Sequence, residues 1–379
     1  MCNNSIFTWP RLIACVAAVF VLGAHNTARS AEKEIPFKFL EPIYKFLGID
    51  ESADATQAYE TNIFSDSGEQ IRFVPDNLFA VDFHDSDIGW AAGYYGTILK
   101  TEDAGASWRR TTLPHNGLVR RISFANENTG WAVTHHGRIY KTDNGGETWR
   151  QVYQTANGDN LRDIFFVDES IGWAVGHMAI ILRSSDGGET WQEQELKNYT
   201  GRDLPRLNAI SARNDKNALI AGEFGVIAET TDGGESWNII TDEDFNQTFT
   251  SVDFYNEGAL VIGLDGAIAH VNLEPVTASA LEATPAPRVV LMDPFTNLHL
   301  FDIEINENGD GAMVGVASVF MVRNGAEFSP FSERIEGQDY AWFGGVTIAG
   351  PNKYISVGRD GLVTEVNFEN STVKQLTKW

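Results

Sequence analysis

The stretch Lys141-Thr142-Asp143-Asn144-Gly145-Gly146-Glu147-Thr148-Trp149 recurs along this chain, and its recurrence limits the fold more than any other feature. Related copies end at Trp108, Trp191 and Trp237, so the steps between closing tryptophans are 41, 42 and 46 residues. A near-fixed period of about 40–50 residues marks a repeat architecture. The shared pattern is Ser/Thr-x-Asp-x-Gly-x-Ser/Thr-Trp, with Asp103, Asp186 and Asp232 at the acidic position and Asn144 replacing Asp in one copy. Short oxygen-bearing side chains bond backbone N–H groups inside a turn, and glycine supplies positive φ. The pattern therefore reads as a structural turn, with each tryptophan opening the next strand and packing between neighbours. A calcium loop would need further liganding positions and a closing Glu, which are absent.

Each turn follows strands of period-two alternation. The first strand of each unit reads Leu78–Phe83, Val119–Phe124, Leu161–Phe166 and Leu207–Ala212. The second reads Gly89–Gly93, Gly130–Val133, Gly172–Gly176 and Ala218–Gly222. The third starts at Gly96, Gly137, Ala179 and Gly225. The skeleton continues where the turns fade, at Ala259–Gly263 with Gly266–Ala269, Gly311–Gly315 with Ser318–Met321, and Tyr354–Gly358 with Gly361–Thr364. Val373 to Trp379 supplies a last outer strand. Seven units of four strands predict an all-β chain, a seven-bladed β-propeller of four-stranded antiparallel blades. Residues 60–75 are a candidate for an extra strand on the last blade. The Ala/Pro/Thr-rich stretch Pro275 to Pro287 reads as a solvated insertion in blade five.

The turns resemble the Asp-box, or bacterial neuraminidase repeat, which in its families lies between the two outer strands of a blade, away from the active site. Ile122-x-Phe124 followed by Gly130-Trp131-Ala132-Val133, and Ile164-x-Phe166 followed by Gly172-Trp173-Ala174-Val175-Gly176, resemble the photosystem II stability/assembly factor family. The resemblance covers residues 77–379, most closely up to 240. It implies a non-enzymatic propeller that binds a membrane-protein subunit through an arginine patch. Bacterial relatives are associated with exporters of the resistance-nodulation-division class, so the implied partner is a membrane-protein complex or an exporter subunit.

Residues 1–30 read as a signal peptide: Arg11, an apolar run from Leu12 to Leu22, and small residues before a cut at Ala31. The run is short for a membrane span. Residues 31–76 form an N-terminal extension with an apolar, aromatic segment from Pro36 to Leu47, and 77–379 the propeller. Both cysteines, Cys2 and Cys15, fall in the leader. The mature chain then has no disulfide, thiolate metal site or cysteine nucleophile. The expected location is outside the cytoplasm, in the periplasm, with no span in the mature chain. The leader also holds two of the 28 basic residues, set against 52 acidic ones, so the mature chain is still more acidic than the net −24 of the whole. Such a charge argues against nucleic acid and anionic lipid as partners.

In a propeller the first strands begin on one face, and the turns between second and third strands return to it. Arg120, Arg121, Arg162, Asp163, Arg206 and Asn208 converge there with Tyr94, Tyr95, His135, His136, His177 and Glu223. Four arginines in so acidic a chain suit carboxylate recognition, and aromatics supply contact area. In the alternative, Arg162 pairs with Asp163 or Asp203 and the rest are solvated. No carboxylate accompanies the histidines in a metal-ligand pattern, so neither metal nor cofactor is expected; Asn306–Gly311 reads as an acidic hairpin turn. A sialidase-like glycoside hydrolase is the enzymatic alternative, with Arg323, Arg334 and Arg359 available for a triad and Arg72-Phe73-Val74-Pro75 approaching that family's Arg-x-Pro. A binder of acidic ligands or glycans is a third reading.

Overall fold

The computed structural model describes residues 77–273, 287–331 and 341–377. The expected leader, the extension 31–76, nearly all of the blade-five insertion, Arg72 and Arg334 lie outside the described residues. Seven antiparallel sheets follow one another along the chain, each built from one contiguous segment. Their first strands are Leu78–Phe83, Val119–Phe124, Leu161–Phe166, Leu207–Ala212, Phe249–Tyr255, Leu300–Ile305 and Phe343–Gly350. These seven lie side by side as a ring, with the seventh against the first. The fold is a seven-bladed β-propeller. Six blades have four strands; the fourth blade gains a fifth, Leu196–Lys197, which runs parallel to its outer strand Trp237–Ile239. Thr372–Gln375 is the outer strand of blade seven.

Burial explains why the second strands read as continuous apolar runs. Gly89–Gly93, Gly130–Thr134, Gly172–Gly176, Ala218–Gly222 and Gly311–Gly315 are buried at every residue, as strands covered on both faces must be. Trp90, Trp131 and Trp173, from the Gly-Trp-Ala segments, have no exposed surface and fill the spaces between blades. Trp90 stacks on Phe124 of blade two at 3.6 Å and donates from Nε1 to Gly145 O; Trp131 does the same to Phe166 and Gly187 O in blade three. The Gly-Trp motif and the Gly-Gly of the following blade's turn are thus one inter-blade joint.

The repeated turns connect third and fourth strands. In the first, Thr101 Oγ1 accepts from Gly105 N at 2.9 Å, while Asp103 accepts from the backbone and hydroxyl of Ser107 at 2.8 and 2.6 Å. Asp186 and Asp232 accept from Thr190 and Ser236 in the same way, while Asn144 accepts from Thr148 N and donates its amide to the Thr148 hydroxyl. Trp237 opens its strand, whereas Trp108, Trp149 and Trp191 stand one residue before theirs. The indoles of Trp108 and Trp191 donate to Gly105 O and Gly188 O, closing the same turns.

Candidate functional site: the arginine mouth

Every first strand carries a β-bulge at its second residue. The ladder skips Phe79, Arg120, Arg162, Asn208, Thr250, Phe301 and Gly344. A bulge leaves the extra residue unpaired and re-aims its side chain. Here the bulged side chains of several blades reach a neighbouring blade at the strand start. Asn208 donates to Phe249 O at 2.7 Å, Thr250 to Leu300 O at 2.7 Å, and the Arg120 guanidinium lies over the Phe79 ring at 5.7 Å.

The turns between second and third strands stand beside these residues and lace the ring. Each tip donates a backbone N–H to the segment leading into the next blade. The bonds are Gly96 to Gly117 O, His136 to Asn160 Oδ1, Ala179 to Pro205 O, Gly225 to Gln247 O, Asp265 to His299 Nδ1 and Ala317 to Ala341 O. Asp360 N to Asn77 Oδ1, at 2.8 Å, closes the ring from blade seven to blade one. The residue at the corner has positive φ in all seven: Tyr95, His136, Met178, Phe224, Asp265, Ala317 and Asp360. Two central residues of positive φ make a tight hairpin turn that favours Asn or Asp before Gly. Asp265-Gly266 and Asp360-Gly361 comply; Tyr95, Met178 and Phe224 are bulky side chains in a conformation that costs them about 1–2 kcal/mol.

The structure separates the four arginines into three situations. Arg121 points into the channel, where it bonds Asp163 of blade three at 2.8 Å and, through both terminal nitrogens, Asp302 of blade six at 2.9 Å. Burial opposes its charge, but the two carboxylates outweigh burial and hold its pKa well above the ordinary value. Asp163 also accepts from Ile210 N, and Asp302 from Val346 N, so this ion-pair group ties blades two, three, four, six and seven. Arg206 is exposed and pairs with Glu223 at 3.1 Å. Arg120 and Arg162 have no carboxylate partner among the described residues; Arg162 pairs with neither Asp163 nor Asp203, and its Nε is buried without an acceptor. Burial, then the neighbouring Arg162 and Arg121, pull Arg120 down to about 9. Burial and Arg206 lower Arg162.

The histidines sit among these cations. His135 is pushed down to about 4, first by burial and then by Arg120 and Arg162. His177 is lowered by burial, Arg162 and Arg206, and its Nε2 is buried without a partner. Blades two to four thus present a cationic arc. Blade one continues it with aromatics: Phe79 meets Tyr94 edge-on at 5.1 Å and Trp342 of blade seven at 5.0 Å, and Tyr94 lies 5.9 Å from Tyr95. Phe79, Trp342, Met178 and Phe224 were not among the residues read from the sequence. The last two occupy the turn position that drew attention to Tyr95 and His136. Arg323 and Arg359 do not join the arc: one lies over Phe368, the other bonds Asp360. Among the described residues no group of three or more His, Cys, Asp or Glu is placed to hold a metal ion, and no helix is long and apolar enough to cross a membrane.

Fold and mouth together define a propeller with a cationic, aromatic-edged rim. The profile of the family described as photosynthesis system II assembly factor YCF48 matches residues 49–161 and 153–244, more than half the chain. This chain belongs to that family. No curated protein matches in sequence. Among solved structures, "YCF48 bound to D1 peptide" superposes with a TM-score of 0.61 at 17% identity, covering 80% of this chain and 95% of the other. YCF48 from Cyanidioschyzon merolae gives 0.60 at 16% identity, covering 78% and 97%. An ancestral GH74 enzyme gives 0.59 at 12% identity, covering 80% of this chain and 46% of that one. At these identities the superpositions establish the fold alone.

Proposed function

We propose that this chain is an exported, non-catalytic accessory factor that binds a segment of a membrane-protein complex at the arginine mouth. The observation that carries this is the pair Arg120 and Arg162. Both are partly buried, and neither has a carboxylate partner among the described residues, although acidic residues outnumber basic ones 52 to 28 in the chain. Unpaired guanidinium groups at reduced exposure are costly in a free protein and are rewarded when a partner brings carboxylates. Family membership supports the reading, as does a relative solved with a D1 peptide bound. The leader read from residues 1–30 would deliver the factor to the periplasm. A subunit of a resistance-nodulation-division exporter is the partner to look for first.

The repeated turns are read as structural Asp-boxes, because their polar side chains are spent on bonds within the turn. Likeness to a glycoside hydrolase does not confer its activity. Hydrolysis of a glycoside needs two carboxyl groups flanking the bond, whereas Asp163 and Glu223, the carboxylates beside Arg162, are already tied to Arg121 and Arg206.

The test is photo-crosslinking in intact cells from a benzoylphenylalanine placed at position 95 or 136, followed by affinity capture and mass spectrometry. A membrane protein captured by the parent and lost in Arg120→Glu/Arg162→Glu is the expected result. Capture that ignores the arginine changes, or no membrane protein at all, refutes the proposal.

A further inference from the structure

Outside the cationic arc, blades three and four frame a groove of about 410 Å³ on the same rim. Met178 and Leu204 stand over it, Ile181, Leu196 and Tyr199 line it, and Glu195 borders it just past the outer strand, while Glu193 turns its side chain toward Tyr153 of blade two. The fold puts these together: Ile181 pairs with Gln194 across the ladder, and Ala179 N bonds Pro205 O, which brings Leu204 beside the turn. Met178 and Leu204 are 54% and 51% exposed, against the burial expected of such side chains. Phe224 at the next corner is 53% exposed. Of the eight large apolar side chains exposed among the described residues, five lie on the rim of blades one, three and four. Neither Glu193 nor Glu195 has a cationic partner among those residues.

The charges change sign across this groove. Inside lie Arg162, with its Nε unsatisfied, and His177, with its Nε2 unsatisfied; outside lies Glu195. We infer that blade three carries a radial peptide-binding track with a defined polarity, a reading that rests on the mouth being a protein-recognition face. The occupant is an extended segment of a partner protein. It places a carboxylate at Arg162 and His177, an apolar side chain in the groove under Met178 and Leu204, and a lysine or arginine at Glu195. Arg162 is on the first strand and Glu195 directly follows the fourth. Three strand spacings of about 4.8 Å make roughly 14 Å, the reach of four to five extended residues. The motif is therefore acidic, then apolar, then basic, within about five residues. Met178 holds its strained backbone at the centre of this track, where strain serves positioning.

Phage display of random 12-residue peptides on the immobilised protein tests the track, with synthetic copies of the enriched peptides measured by fluorescence anisotropy. The expected peptides carry the acidic–apolar–basic order. Their binding weakens ten-fold or more in Met178→Asp and in Leu204→Asp. Aspartate is at home in the left-handed conformation, as at Asp265 and Asp360, so Met178→Asp keeps the fold; unchanged circular dichroism and melting verify this. Glu195→Lys turns the preference at the basic position to an acidic one. Peptides that depend on Arg162 but ignore the groove changes overturn the track and leave the arginine mouth standing. A library with no enrichment also overturns the track, while the in-cell crosslinking decides the wider function separately.

Discussion

Adjacent arginines can have opposite duties. Arg120 and Arg121 are consecutive, yet one is held at the mouth without a carboxylate and the other is locked between Asp163 and Asp302. Removing Arg121 strands two buried carboxylates, and breaking a buried pair this way costs about 3–5 kcal/mol. Arg121→Met should lower the unfolding free energy by that amount in urea titrations, and adding Asp302→Asn should restore part of it. Arg120→Met, by contrast, should change stability by less than about 1 kcal/mol, because it removes like-charge crowding. His135 gives a pH signature with a definite sign. Its folded pKa of about 4 lies below the ordinary value, so the unfolded chain protonates first as pH falls. Its contribution is complete above about pH 6.5 and is lost down to about pH 4. The stability difference between parent and His135→Gln should therefore shrink across that window; a constant difference would show that the mouth does not hold this ring neutral.

At the level of strands and turns, the sequence was legible wherever a local rule had a local cause. The four first strands read from alternation fall where they were placed, and the fourfold Thr/Ser-x-Asp/Asn turns show their side-chain bonds as the residue types imply. Third strands begin one or two residues later than read, since Gly96, Gly137, Ala179 and Gly225 are consumed by the turn. The bulges left no residue signature: Phe79, Arg120, Asn208 and Gly344 share a position but no chemistry. That is why Arg120 and Arg121 were read as equivalent. Asp302, 181 residues from Arg121, was invisible for a different reason, because ring closure and not sequence proximity brings it near. The corner residues yield a prediction at this scale. Phe224 spends conformational energy at φ 59° to stay exposed. Phe224→Asn should stabilise the protein by about 0.5–1 kcal/mol, as asparagine tolerates that conformation. The same change should weaken capture of the membrane partner in the crosslinking assay. A variant that is both less stable and equally competent would remove the corner from the recognition face.

Among the described residues the propeller closes its ring without sharing a blade between its first and last strands. Closure rests on first-strand packing, the Asp360–Asn77 bond, and side chains that cap the next blade's backbone, such as Asp82 on Phe124 N and Asp253 on Ile305 N. These caps bury carboxyls in a chain already at net −24. Burial raises Asp82 to about 6 and Asp253 to about 7, and lifts Glu304 well above its ordinary value with help from Asp253 and Asp302. For such groups the folded state binds protons more tightly than the unfolded chain, so their contribution is greatest below about pH 4 and is lost as pH rises through 6 to 7. The exposed pairs work the other way only in stronger acid, for hydrogen bonds hold Glu189 and Asp232 near 2. His135, His177 and His270, all lowered by burial, oppose the trend, but the raised carboxyls Asp82, Asp163, Asp253 and Glu304 outnumber them, and relief of the overall negative charge adds to the carboxyls' effect. The protein should therefore melt at a higher temperature at pH 5.5 than at pH 7.5, by about 3 °C or more given the few degrees that each kcal/mol is worth at this size. Asp82→Asn, which keeps an oxygen facing Phe124 N, should reduce that difference and raise the melting temperature most at pH 7.5. Equal melting at the two pH values would mean that the channel carboxyls are hydrated enough to ionise normally, and the caps would then stabilise the ring as charged groups.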